Sequence, residues 1–568
     1  MRARSRTDEI SDRYVERFAA LHPVGATMRG ITGHDDRMTD YSPDGIDERT
    51  QVDGATLADL HTVEPGSARE RVALGVMTEQ LERNAALADA GEHLRSLNVL
   101  ASPMQHIRAC FDLVPTATID DFTAIAARLA QVPAGIDGYR STLQEGIHQG
   151  IVAARRQAEA CARQADTWGG VTDTASTPFF HTLVERFDAA GLTDSALRAH
   201  LVDGADRATR AYAAFGRFLV DEYLPHAAEH DGVGEDRYAL WARAWNGLDL
   251  DLHDTYAWGW DELHRIERAM QSVAERILPG RTVPEVIDHL EHDPTRSIEG
   301  VDAFRAWNQE LLDTTVAALD GVHFDIPDPV KRVEAMIAPP GGAAAMYYTG
   351  PAEDFSRPGR TWYPTLGRTV FPLWGEVSIC YHEGVPGHHL QIAQVRYLAD
   401  VLTRYQRTLA GSSGHAEGWA LYAERLMGEL GYLEDPAYEL GMLRAQAMRA
   451  VRVIVDIGLH LSLRIPDGEA YLPGEVWTPA SALPFVITHS YFPADFMASE
   501  VDRYLGLPGQ AISYKVGERE WLAARDDARR AAGADFDLKA FHAHALDLGP
   551  MGLEQLRREL AAPSGTAG

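Results

Sequence analysis

Apolar side chains recur at spacings of three and four residues over most of this chain, and that period fits the α-helix. Phe122, Ile125, Leu129 and Val132 form one such run, and Ile136, Tyr139, Leu143 and Ile147 another; each is the mark of a helix that buries one face. Pro133 and Gly135 lie between the runs and predict a break. Similar amphipathic stretches fill roughly 182–225, 255–277 and 301–320, whereas strand-like alternation is scarce before residue 330. Residues 338–360 are too rich in Pro and Gly for a helix and predict a loop that leads into a short strand near Arg360–Thr365. Helical patterning resumes at Val377 and runs with interruptions to about Leu560, with a frayed end expected at 563–568. The expected fold class is mainly α.

At 568 residues the chain is longer than one hydrophobic core requires. Its 45% hydrophobic and 24% charged residues are the balance of a globular protein, not of a disordered or fibrous one. The formal net charge of −30 argues against nucleic acid as a partner, since a phosphate backbone is bound by an electropositive surface. The same charge argues against anionic membranes. Cys110, Cys161 and Cys380 are far apart, so neither a disulfide framework nor a cysteine zinc site is indicated. The first residues are charged without a following apolar stretch, and nowhere do about 18 apolar residues follow one another. These features lead us to expect a soluble, cytoplasmic protein.

The chemistry concentrates in His382-Glu383-Gly384-Val385-Pro386-Gly387-His388-His389. Zinc hydrolases of the H-E-x-x-H type set two histidines one helical turn apart, with the intervening glutamate facing the metal-bound water. Here the i+4 position is Pro386, which has no ligand atom. In an unbroken helix His388 would be rotated about 240° from His382 and displaced about 9 Å along the axis. Pro386 and Gly387 offer a way round this, because proline forfeits a helical hydrogen bond and glycine tolerates unusual dihedrals. A bulge there would return His388 to a metal held by His382. His389, two turns from His382 on nearly the same face, is the competing choice.

The octapeptide and the later Glu417-Gly-Trp-Ala-Leu-Tyr-Ala-Glu424 together resemble the bacterial domain-of-unknown-function 885 family. Agreement extends to His22–Thr27, His34–Met38, Ser356–Gly359 and Pro508–Lys515, and so to nearly the whole chain. That family is similar to the helical gluzincins, among them the thermostable carboxypeptidases and the angiotensin-converting enzymes. The resemblance implies a two-lobed helical fold with a deep central cleft and a small β-sheet near the metal site. It also implies one Zn²⁺ ion, with a third ligand from a glutamate 25 to 30 residues beyond the second histidine. Glu417, 29 residues after His388, is that candidate. Glu424 at i+7 shares its helix face and is expected to orient an imidazole. The resemblance further implies a late tyrosine as hydrogen-bond donor to the oxyanion, for which Tyr514 and Tyr504 are candidates.

One more helical run, 448–463, carries Arg452, Asp456 and His460 at i, i+4 and i+8 among apolar residues. Buried polar groups need partners: either the three pair with one another or they line the cleft, with His460 available to substrate. Arg357, Arg452 and Lys515 are candidates to bind a substrate carboxylate. We therefore expect a single catalytic domain over 1–568, with 1–337 forming cleft walls and 338–568 carrying the metal site. Its expected work is zinc-dependent hydrolysis of short peptides with Glu383 as general base, by carboxypeptidase action on fold analogy. Two alternatives stay open: a non-catalytic peptide-binding relative, and a metal-dependent hydrolase of small amides or esters.

Overall fold

A computed structural model of the chain describes residues 4–172, 177–338 and 345–561, and helices dominate it. The first two apolar runs form the helices Ile119–Leu129 and Val132–Gln149, with Phe122, Leu129, Val132 and Leu143 fully buried. The break between them falls before Val132 and not at Pro133 and Gly135. Proline in a first helical turn lacks only an N–H that would have no partner there. Gly135 lies inside the helix, where a Cβ would press on Met38 at 2.9 Å. Together with Arg155–Trp168 and Ser195–Phe218, these helices enclose one apolar core drawn from Val24 to Ala227.

A larger core surrounds Pro436–Leu461, a helix buried on every side along its second half, as Ala450, Val451, Val453 and Ile454 attest. Leu252–Ile277 runs against it, and Gly259 allows the approach: a Cβ there would stand 3.0 Å from Val453. Ile10, Tyr14 and Trp260 share this core with Trp419 and Val453. The N-terminal portion therefore supplies packing to the motif helices, and the core crosses residue 337.

Among the described residues, strand is confined to two small sheets. Gly359–Tyr363 is the centre of the larger one, parallel to Val333–Ile337 and antiparallel to Tyr347–Thr349. The strand expected near 360–365 is thus found, but the loop expected over 338–360 is corrected, because Tyr347–Thr349 pairs into the sheet. Within that stretch 339–344 lie outside the described residues, as does the end at 563–568. The smaller sheet joins Ser297–Glu299 to Val370–Pro372. Phe304, Leu312, Tyr363, Phe371 and Cys380 form a third apolar cluster, which fixes the sheets against the helix that carries His382. Among the described residues no helix is long and apolar enough to cross a membrane.

Candidate metal centre

Glu376–Glu383 carries His382 and Glu383 and ends at Gly384, and a new helix starts at His388. Between them the chain folds back on the helix it has just left. The Gly387 N–H donates to Tyr381 O at 3.0 Å, and the His389 N–H to Gly384 O at 3.0 Å. A Cβ on Gly387 would lie 2.0 Å from His382 O, so the backbone approach needs glycine. Buried Trp419 closes the turn from the neighbouring helix, its indole N–H shared by Pro386 O at 2.8 Å and Gly387 O at 3.2 Å. His388 is thereby turned towards His382, with ring centroids 4.8 Å apart and planes at 84°.

Glu417, on the helix Ser413–Glu429, completes the group. Its Oε2 lies 3.5 Å from His382 Nε2 and 3.5 Å from His388 Nε2, and this buried oxygen has no hydrogen-bond partner. Tetrahedral zinc with bonds of about 2.0–2.1 Å separates its ligand atoms by roughly 3.3 Å, so the donor set fits a zinc-sized ion. Glu383 also reaches this place: its carboxylate and the imidazole nitrogens of His382 and His388 all lie within 4.8 Å of one another. Two carboxylates thus compete for the ligand role. Of the two, Glu417 is the one equally near both imidazoles, 3.5 Å from each Nε2.

The electrostatics follow from burial and pairing. Burial works to raise the Glu417 carboxyl, but the His388 and His382 imidazoles outweigh it and hold Glu417 far below the usual carboxylate range. Burial disfavours a charged His382, yet Glu417 and Glu424 overcome it and raise this histidine to about 9. Glu424, fully buried, accepts from His382 Nδ1 at 2.8 Å and from the Ser378 hydroxyl, and Arg449 lies 3.4 Å away. A single helix therefore supplies a candidate ligand, the clamp on the turn and the acceptor that fixes the His382 ring, at positions 417, 419 and 424. Close packing sets its depth: a Cβ on Gly418 would lie 2.4 Å from Gly517 C, so this helix touches Ser513–Ala532 backbone to backbone.

The sequence profile of bacterial proteins of unknown function named DUF885 matches residues 23–560. The chain belongs to the DUF885 family. No curated protein matches it. Two solved structures resemble this DUF885 chain over their whole length. A candidate lipoprotein of Colwellia psychrerythraea has a TM-score of 0.83 and 22% identity, covering 98% of each chain. A candidate lipoprotein of unknown function of Shewanella oneidensis has a TM-score of 0.73 and 19% identity, covering 99% of this chain and 100% of the other. At such identities the likeness speaks for the fold.

The remaining candidates of this DUF885 chain are distributed unevenly. His389 has no nitrogen to offer: its Nε2–H donates to Val330 O at 2.7 Å and its Nδ1 faces the Tyr348 hydroxyl at 2.9 Å, while burial pushes it down to about 4. Tyr514 lies close to the group. Burial, then the charge of Glu417, raises its phenol, and its ring is 4.6 Å from the Arg452 guanidinium.

The 448–463 stripe neither pairs only with itself nor brings His460 to the imidazole pair; it grips the segment that leads to Tyr514. Arg452 donates to the Tyr504 hydroxyl at 3.1 Å and to Glu500 at 2.7 Å, and the Tyr504 hydroxyl donates to Glu500 at 2.9 Å. Asp456 accepts from Tyr238 at 2.7 Å and from Gly509 N at 3.0 Å. His460, beneath Tyr238, donates to Tyr504 O at 3.0 Å. His460 and Tyr504 are therefore structural here.

Lys515 is buried against Glu262 and Gln446, each at 2.7 Å, and Glu518, which removes it as a carboxylate binder. Arg357 alone of the three basic candidates has no carboxylate partner among the described residues; it donates only to Pro358 O at 3.4 Å. Sequence reasoning missed Trp419, Ser378 and Arg449. Ser378 lies one turn before His382 on the same face, and Arg449 one turn before Arg452, so helical spacing held a signal for both.

Proposed function

We propose that this DUF885 protein is a zinc metallopeptidase acting on short peptides. The observation that carries the reading is the convergence of His382, His388 and Glu417 about one point, with Glu417 Oε2 at 3.5 Å from both imidazole nitrogens and otherwise unpartnered. Those three residues would hold the ion, which supplies a Lewis acid able to polarise a carbonyl and to lower the pKa of a coordinated water towards about 7. Glu383 accepts the proton of the attacking water and delivers it to the leaving amine. No described residue donates a hydrogen bond to its carboxylate, so that carboxylate is free to do so. Tyr514 donates its hydroxyl to the developing oxyanion. Glu424 holds the proton on His382 Nδ1 and so keeps Nε2 available as a ligand. Arg357, lacking a carboxylate of its own, supports carboxypeptidase action, because a guanidinium pairs with a terminal carboxylate through two parallel hydrogen bonds.

The test compares the native protein with Glu383→Gln on a peptide library presented with free and with amidated C-termini. Zinc content is expected to be equal in both proteins, with hydrolysis falling about 10²- to 10⁴-fold in the variant and free-acid peptides cleaved in preference. Undiminished turnover in E383Q would refute the assignment of the base. Equal cleavage of amidated peptides would refute the carboxypeptidase mode alone.

A further inference from the structure

Arg449 takes no part in the chemistry above, yet it is 5% exposed and adjoins the metal centre. Two arginines buried to a similar degree each have a close carboxylate: Arg452 has Glu500 at 2.7 Å and Arg525 has Glu429 at 2.7 Å. The carboxylate beside Arg449 is Glu424, at 3.4 Å; its Nη2 also lies 3.4 Å from His382 Nδ1, while its Nε and Nη1 are buried without partners. An arginine left this incompletely paired when buried is costly, so its position calls for a reason.

Glu424 supplies one. It has no exposed surface, and its contacts are the Ser378 hydroxyl, His382 Nδ1 and Arg449. An imidazole that ligates through Nε2 is neutral and carries its proton on Nδ1, so it brings no charge to offset Glu424. Arg449 is then the cation in contact with a fully buried carboxylate. It comes from Pro436–Leu461, the central helix of the large core, and so ties the metal site to the most deeply packed element of the fold.

We infer that Arg449 is a positioning residue for the metal centre: it compensates the charge of Glu424 and thereby fixes the His382 ring with Nε2 presented to the ion. The inference rests on the zinc reading above but concerns affinity, not turnover. The experiment measures zinc affinity of the full chain by competition with a chromophoric chelator, with the fold checked by circular dichroism. Arg449→Gln is expected to weaken zinc binding about 10- to 100-fold, in the range of other residues that support metal ligands. Arg449→Lys, which restores the charge, is expected to recover most of that loss. In a Glu424→Gln background, where there is no charge left to compensate, R449Q is expected to cost nothing further.

The inference is overturned if R449Q binds zinc within about twofold of the native chain, or if R449Q costs the E424Q protein another factor of ten. Should R449Q alone fail to fold, the comparison of E424Q with the double variant still decides, because that pair removes both buried charges together. A native chain that takes up no zinc would instead refute the metal centre itself.

Discussion

Adjacent histidines at 388 and 389 have different partners, and substitution separates their roles. His388→Ala is expected to abolish stoichiometric zinc uptake while the fold persists, since its ring is turned to the imidazole of His382 and to Glu417. His389→Ala is expected to retain zinc but lose about 2–4 kcal/mol of stability, as it leaves a cavity and strips Val330 O and the Tyr348 hydroxyl of their partner. Metal analysis together with urea unfolding reads both; zinc loss in the His389 variant alone would exchange the assignments. At this scale much of the site was legible in the sequence. His382, Glu383 and the Pro-Gly interruption announce themselves by residue type and spacing, but the choice between His388 and His389 depends on Val330 and Tyr348, which lie far off in the chain.

Between elements, the contact of Ser413–Glu429 with Ser513–Ala532 governs where Glu417 and Tyr514 stand. Gly414, Gly418 and Gly517 meet there, and a Cβ on Gly517 would lie 2.1 Å from Gly414 O. Gly418→Ala is expected to force the two helices apart, costing about 1–3 kcal/mol as overpacking does and weakening zinc binding because Glu417 moves with its backbone. Thermal unfolding and chelator competition check the two effects, and an alanine variant with native zinc affinity would contradict the coupling. Helices were readable from the period of the apolar residues, as in the runs Phe122–Val132 and Ile136–Ile147, although the break between them falls before Val132 and not at Pro133 and Gly135. The strand Tyr347–Thr349 was not, because its pairing with Gly359–Tyr363 is a nonlocal contact, and a three-residue segment carries too little period to register.

Across the whole molecule, buried ion networks join the core helices and make stability sensitive to acid. Glu262, on Leu252–Ile277, receives Lys515 at 2.7 Å and Arg265 at 2.7 Å. Burial raises its carboxyl, but Arg265 and Lys515 outweigh this and lower it from 4.5 to about 2. A depressed carboxylate stabilises the fold above its unfolded value, and the contribution fades as pH falls through the folded one. Roughly 3 kcal/mol is therefore expected to be lost between about pH 4.5 and 2. In Glu262→Gln that part of the acid slope should vanish, as read by urea unfolding over a pH series; an unchanged slope would show that the carboxylate does not titrate with the fold.

By itself the sequence determined that this chain is helical, singled out His382 and Glu383 as the candidate centre, and required that a proline-glycine turn interrupt the motif. These are local matters, settled by the period of apolar residues and by what proline and glycine permit within one turn. Only the tertiary structure decided that His388 faces inward, that Lys515, Tyr504 and His460 are structural, and that Arg449 backs Glu424. Each of these depends on which distant groups satisfy a buried polar atom, and that pairing exists only once the helices have packed.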